Sequence, residues 1–172
     1  MTYITGIKGP RKNKIEINDH LNRLDSEKVV RSIISGLRRE PRRISSMFFY
    51  DDAGSRLFEE ITGLPEYYPS RMEKKILREI APAVAPCMKG ADIVELGSGD
   101  CSKISIILDA VEREFLNGIR YIPFDVSRSA VERSAGELAE RFPGLELYGI
   151  VADLTRQMDV VPRERKRVFL FL

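Results

Sequence analysis

Between Ala91 and Lys103 the sequence changes character twice. Ile93-Val94-Glu95-Leu96 is a short apolar run that predicts a buried strand, Gly97-Ser98-Gly99 predicts a tight turn, and Ser102-Lys103-Ile104 opens an amphipathic segment that predicts a helix. A strand that feeds a glycine turn and then a helix start leaves unpaired backbone N–H groups at the carboxyl edge of a parallel sheet, where a ligand can touch the main chain. Glycine suits that turn because a Cβ would obstruct both the reversal and the ligand.

The pattern around this element extends it into a fold class. After Gly90, strands are expected at about 92–96, 121–126, 145–151 and 168–172, and they alternate with two helices. The first helix buries Ile104, Ile107, Leu108 and Val111; the second starts at Ser127 or Ser129 and buries Val131, Leu138 and Phe142. Apolar strands alternating with helices predict an α/β protein, a doubly wound, Rossmann-like parallel sheet of about four strands covered on both faces, over residues 91–172. Residues 26–90 read as an N-terminal helical region. It has a helix on Val29, Val30, Ile33, Ile34 and Leu37, a helical face on Leu57, Phe58, Ile61 and Leu64, and a helix opened by a Ser70–Glu73 capping box and ended by Pro82 or Pro86. Residues 1–25 are polar and weakly patterned, which predicts a flexible or loosely docked arm. Five apolar residues in Val168–Leu172 read as an interior strand, so the sheet is expected to be truncated there, with an open edge on which a partner chain could add strands.

Composition removes several function classes. Near-balanced charge, net +2 over 172 residues, implies no strong field toward nucleic acid or anionic lipid. The longest apolar runs are strand-sized, which predicts no membrane span, and the first residues lack a signal-peptide core. With Cys87 and Cys101 as the only cysteines, no disulfide framework is expected and a cytoplasmic location is the default. His20 is the only histidine, which argues against a histidine triad or a histidine zinc site. Cys101 stands near a helix start that would lower its thiol pKa, yet with no base or second cysteine beside it, it reads as a packing residue. The Arg38, Arg39, Arg42, Arg43 cluster reads as a solvated helix end.

The polar residues at the strand ends suggest the ligand. Asp125 ends the second strand, where a carboxylate accepts from both hydroxyls of a ribose, and Asp153 ends the third, where it could accept from an adenine amino group. Glu95 could reach a ligand ammonium or hold the glycine loop itself; Lys103 could meet a ligand carboxylate or stand in solvent. Ser102 occupies the place where a dinucleotide fingerprint has its third glycine, which weakens an NAD reading. S-adenosylmethionine, with adenine, ribose and an amino-acid tail but no pyrophosphate, suits Asp153, Asp125 and the Glu95–Lys103 loop better. Tyr50, Tyr67 and Tyr68 lie in loops before the sheet, where phenols could line an acceptor pocket or simply belong to the core; for Tyr68 the core is preferred.

Six ordered motifs then point to a family. Phe49-Tyr50-Asp51-Asp52-Ala53-Gly54-Ser55, Leu57-Phe58-Glu59-Glu60-Ile61-Thr62, Leu64-Pro65-Glu66-Tyr67-Tyr68-Pro69, Glu95-Leu96-Gly97-Ser98-Gly99, Pro123-Phe124-Asp125-Val126-Ser127 and Ala152-Asp153-Leu154-Thr155 together resemble the histidine-specific methyltransferases of ergothioneine biosynthesis. The resemblance runs from about Ser26 to Leu172. It implies a class I fold, S-adenosylmethionine as methyl donor and an amino-acid amine, of histidine or a relative, as acceptor. It also implies that Gly97, Ser98, Gly99 and Lys103 contact the donor, that Asp125 holds the ribose and that Asp153 and Leu154 hold the adenine, Leu154 standing where the family commonly has Phe. Tyr67 is implied to hold the acceptor, with Tyr50 lining the same pocket. Family members continue with a Gly-Ser-Thr-Ile-Gly-Asn segment and a second, substrate-binding lobe. The chain alone is therefore expected to be weak or inactive; the alternative is a non-catalytic donor-binding or partner-binding module of the same ancestry.

Overall fold

Five strands, all parallel, form one sheet in a computed structural model that describes residues 14–21, 26–49 and 52–172. In chain order the elements are β1 (Ile15–Asp19), α1 (Ser26–Leu37), α2 (Asp52–Thr62), α3 (Tyr68–Met88), β2 (Asp92–Leu96), α4 (Ser102–Asp109), α5 (Arg113–Leu116), β3 (Arg120–Asp125), α6 (Arg128–Arg141), β4 (Glu146–Val151) and β5 (Arg167–Leu170). The sheet order is β1-β4-β3-β2-β5. The chain steps outward from β2 through β3 to β4 and then returns to the other side of β2 as β5. This reversal is the feature that defines a doubly wound sheet, and it opens a crevice at the carboxyl end of β2.

Burial explains the order. The central strands β2 and β3 carry Ile93, Val94, Tyr121, Ile122 and Phe124, all without solvent exposure, as parallel strands flanked on both sides require. On one face, Ile93, Tyr121 and Leu147 pack with Leu77, Ala85 and Met88 of α3, Ile104, Ile107 and Leu108 of α4, and Leu138 of α6. On the other, Val94, Ile122, Phe124 and Ile150 are closed by Ala152, Leu154, Met158, Val160 and Val161 from the segment after β4. Both faces are thus covered, as the sequence predicts, one by α3, α4 and α6 and the other by the segment after β4 with its 3-10 turn Met158–Val160. Gly149 lets α6 approach: a Cβ there would fall 2.5 Å from Val131 Cγ1 and 3.2 Å from Ile17 Cγ1.

Several expectations are corrected. Residues 15–19, assigned from sequence to a loose arm, form an edge strand registered on β4 from Ile15↔Leu147 to Asp19↔Val151; the sheet has five strands instead of about four. α3 runs through both Pro82 and Pro86, which lie on its exposed side, and it starts at Tyr68 with no side-chain cap. The Ser70–Glu73 capping box does not form, because the helix already starts at Tyr68 and puts Ser70 inside its first turn; Glu73 pairs with Lys103. Leu77, Ala81, Ala85 and Met88 are the buried side of α3, and Leu77, Ala85 and Met88 join the sheet's own core. Among the described residues β5 is an outer strand, with Phe169 46% and Phe171, just beyond it, 80% exposed, so the edge expected to be open at Val168–Leu172 is open. Residues 1–13 and 22–25 of the arm, and Tyr50, lie outside the described residues. No described helix is long and apolar enough to cross a membrane.

Candidate functional site

The carboxyl rim gathers the ends of β2, β3 and β4 through backbone hydrogen bonds. Gly97 N–H donates to Phe124 O at 2.8 Å and Ala152 N–H to Asp125 O at 3.0 Å. Gly97, Asp125 and Asp153 therefore sit side by side on one edge of the sheet, at its point of reversal. Gly97 and Gly99 adopt φ of +71° and +45°, the left-handed region where a side chain is strained, and a Cβ on Gly97 would find no atom within 4 Å. The backbone of the turn is thus exposed to open space.

Asp125 organises this turn. One carboxylate oxygen accepts from Gly99 N–H at 3.1 Å and the other from Ser127 N–H at 2.9 Å, so one side chain ties the glycine loop to the start of α6. Ser127 then caps that helix, its Oγ accepting from Ala130 N–H at 3.3 Å. Each carboxylate oxygen retains a lone pair, which leaves capacity for a ligand hydroxyl. Asp153 makes a tight local turn in which one oxygen accepts from both the amide and the hydroxyl of Thr155, at 2.8 and 2.6 Å. The Thr155 hydroxyl bond holds its carboxyl below the usual range, with Arg156 adding to the effect. Gln157 braces the same turn from behind, accepting from Asp153 N–H at 2.8 Å and donating to His20 O at 2.7 Å. Leu154 is half-buried against the second-face core.

Around the turn the side chains differ in how they are used. Ser98 is buried between its exposed glycine neighbours, and the hydroxyls of Ser98 and Ser102 meet no hydrogen-bond partner among the described residues. Both hydroxyls stand beside the open glycine backbone with their hydrogen-bonding capacity unused. Lys103, in the first turn of α4, holds Glu73 of α3 at 2.8 Å. Glu95 is 2% exposed and accepts a hydrogen bond from the Tyr121 hydroxyl. Burial pushes its carboxyl up to about 8 against the opposing pull of Tyr121 and Lys103. Cys101 donates to Glu137 at 3.0 Å; burial first, and then that carboxylate, push its thiol up to about 12, so the lowering expected at a helix start is reversed.

Tyr67 immediately precedes α3, half-buried, its ring edge-on to Phe58 at 6.0 Å. It stands about six residues, roughly 9 Å of helix rise, before Glu73 and so above the Lys103 contact. Tyr68 is 65% exposed, which overturns its assignment to the core. Across the rim, Glu59 of α2 lies 3.7 Å from Arg133 of α6.

The family described as histidine-specific, S-adenosylmethionine-dependent methyltransferases matches residues 29–172. The chain belongs to it. The histidine N-alpha-methyltransferase of Mycobacterium tuberculosis is 38% identical over 143 residues, covering 83% of this chain and 44% of that protein. That of Mycolicibacterium smegmatis is 34% identical over 148 residues, 86% of this chain and 46% of the relative. An N-methyltransferase of Aspergillus fumigatus is 33% identical over 147 residues, 83% and 40% respectively. The chain spans about half the length, or less, of the curated relatives it matches.

For this methyltransferase-family chain, the glycine turn, Asp125 and Asp153 are legible in the sequence and adjacent in space. The sequence carries no site signal at Glu73 or Gln157, and it marks Ser102 only as the residue in the third-glycine place. Tyr121 had a visible signal: it lies an even number of places before Asp125 on the same strand, hence on the same face, but its pairing with Glu95 needs the register Ile93↔Tyr121.

Proposed function

We propose that this chain forms the donor-binding half of an S-adenosylmethionine-dependent N-methyltransferase whose acceptor is the α-amine of histidine or a related amino acid. The observation that carries the reading is the joint placement of an open glycine turn, two orphaned hydroxyls and Asp125 at the reversal point of the sheet. Asp125 accepts from the ribose hydroxyls with its free lone pairs, and the half-buried Asp153–Leu154 turn receives the adenine. Ser98, Ser102 and the backbone of Gly97–Gly99 line the amino-acid tail. Lys103 gives one of its donors to Glu73 and keeps others for a carboxylate, while Glu95 faces the tail's ammonium. When bound, the donor supplies a sulfonium methyl group that a neutral amine takes by in-line displacement. The protein's own contribution is alignment and exclusion of water. Tyr67, with Tyr50, is assigned to the acceptor. Among the described residues Tyr67 is the only candidate on that side, so turnover by the chain alone is expected to be weak.

The identity of the relatives supports histidine as first choice of acceptor, and the free thiols Cys87 and Cys101 fit a cytoplasmic setting. A second reading, a donor-binding or partner-binding module without turnover, is favoured by the outer position of β5 and the exposed Phe169 and Phe171, where another chain could pair.

Calorimetric titration separates these readings. S-adenosylmethionine is expected to bind and NAD not to, and Asp125→Asn is expected to weaken donor binding about tenfold or more. Comparable NAD affinity, or donor binding indifferent to Asp125, would overturn the proposal. Mass-spectrometric appearance of methylated histidine at an enzymatic rate would remove the second reading.

A further inference from the structure

Beneath the glycine turn, Glu95 is backed by a buried phenol, Tyr121, that has no place in the donor contacts just assigned. Tyr121 is wholly buried on β3, and its hydroxyl donates to Glu95 on the neighbouring β2. Tyr121 belongs to the apolar cluster with Ile93, Ile104 and Leu138, so its ring cannot swing away without opening the core. A phenol is an expensive choice for such a site unless its hydroxyl has a task, because phenylalanine would fill the same space. The hydroxyl fixes one oxygen of Glu95 and leaves the other for whatever occupies the turn. From the remaining elements, Lys103 of α4, Asp100 of the loop and Asp125 at the end of β3 face Glu95 electrostatically, and Ser134 of α6 and Cys101 face Tyr121.

Resting on the donor reading above, we propose that Tyr121 is a positioning residue for the donor site. Its phenol holds the Glu95 carboxyl toward the turn, and arrival of the donor's ammonium expels a proton from that carboxyl to solvent. No bond other than O–H breaks: the free chain holds Glu95 as the neutral acid, and the bound one holds it as carboxylate between the Tyr121 hydroxyl and the ammonium. The buried position of Glu95, which lifts its carboxyl to about 8, agrees with a neutral resting acid at pH 7.

The consequences are measurable. Calorimetric titration of the chain with S-adenosylmethionine at pH 7, in two buffers of different ionisation enthalpy, is expected to show about one proton released per donor bound, declining as the pH passes above 8. Tyr121→Phe removes a bond that favours the charged form, so it is expected to weaken donor binding about tenfold at pH 7 and to recover part of that loss at higher pH. Glu95→Gln is expected to abolish the proton release. A carboxylic-acid C=O stretch in infrared difference spectra of the donor-free chain, absent in Glu95→Gln, reports the resting proton without any ligand. Binding with no proton release, or a Tyr121→Phe variant that lowers thermal stability but leaves affinity and its pH profile unchanged, would overturn the inference while leaving the donor reading intact. Absence of donor binding by the wild-type chain would overturn both.

Discussion

Asp92 and Glu95 stand at opposite ends of β2, both almost wholly buried, and the fold treats their charges in opposite ways. Asp92 is held by Arg120 through two bonds of 2.9 and 2.5 Å, with Arg165 at 3.9 Å behind it. Arg165 in turn reaches Glu146 at 2.9 Å, and Arg120 reaches Glu164 at 3.6 Å and lies over the Tyr148 ring. The amino rim is a closed network in which each of these acids has a cation. At the carboxyl rim Glu95 has a phenol in place of a cation, and Ser98 and Ser102 have nothing. A buried ion pair resists the loss of either partner, whereas a buried acid without a cation resists being charged. The same strand is thus anchored at one end and left chemically unfinished at the other, and only the unfinished end has something to offer a ligand.

The largest effect should come from breaking the anchored end. Arg120→Ala leaves Asp92 buried beside only the distant Arg165, and it is expected to cost about 3–5 kcal/mol in urea unfolding, with little change in donor affinity beyond that due to unfolding. A cost below about 1 kcal/mol would show that the two rims do not differ as described. The next effect lies in pH. Glu95 has a folded-state value raised above its unfolded one, so its contribution to stability is complete below about 4.5 and is lost as the pH rises through about 8. Stability is expected to fall over that window by about 5 kcal/mol at most, and Glu95→Gln should flatten the decline; a wild-type curve that is flat between these limits would contradict the assignment. Smaller still is Gly97→Ala, which is strained at positive φ by about 1–2 kcal/mol and yet meets no protein atom. Its donor affinity should fall by more than its stability, since the Cβ enters the space reserved for the ligand. Least of all, Ser98→Ala should change stability by no more than about 0.5 kcal/mol, because it removes a hydroxyl that has no partner, and should weaken donor binding severalfold.

The sequence was most readable where one residue type has one local use. Gly97 and Gly99 announce a turn because few other residues tolerate it, and Asp125 and Asp153 announce strand ends because they close apolar runs. It was least readable where tertiary neighbours choose between equals. β1 carries the polar sequence Ile-Glu-Ile-Asn-Asp, and only pairing with β4 makes it a strand. Pro82 and Pro86 stop a helix only if their missing donors matter, and on the outer side of α3 solvent can satisfy the carbonyls they leave free. The Ser70–Glu73 cap signal is overridden by an earlier helix start at Tyr68, which leaves Glu73 to pair with Lys103. The thiol of Cys101 shows the same competition: proximity to a helix start argues one way, and burial beside Glu137 decides the other.

The two amides that share the Asp125 carboxylate give the rim a property of its own. Because Gly99 and Ser127 are both tethered to it, whatever shares its oxygens acts on two segments at once, the glycine turn ahead of α4 and the entry to α6. A sugar hydroxyl settling there would be felt as a change in amide exchange at two positions far apart in the chain, so occupancy of the pocket is written into the backbone on both sides of β3.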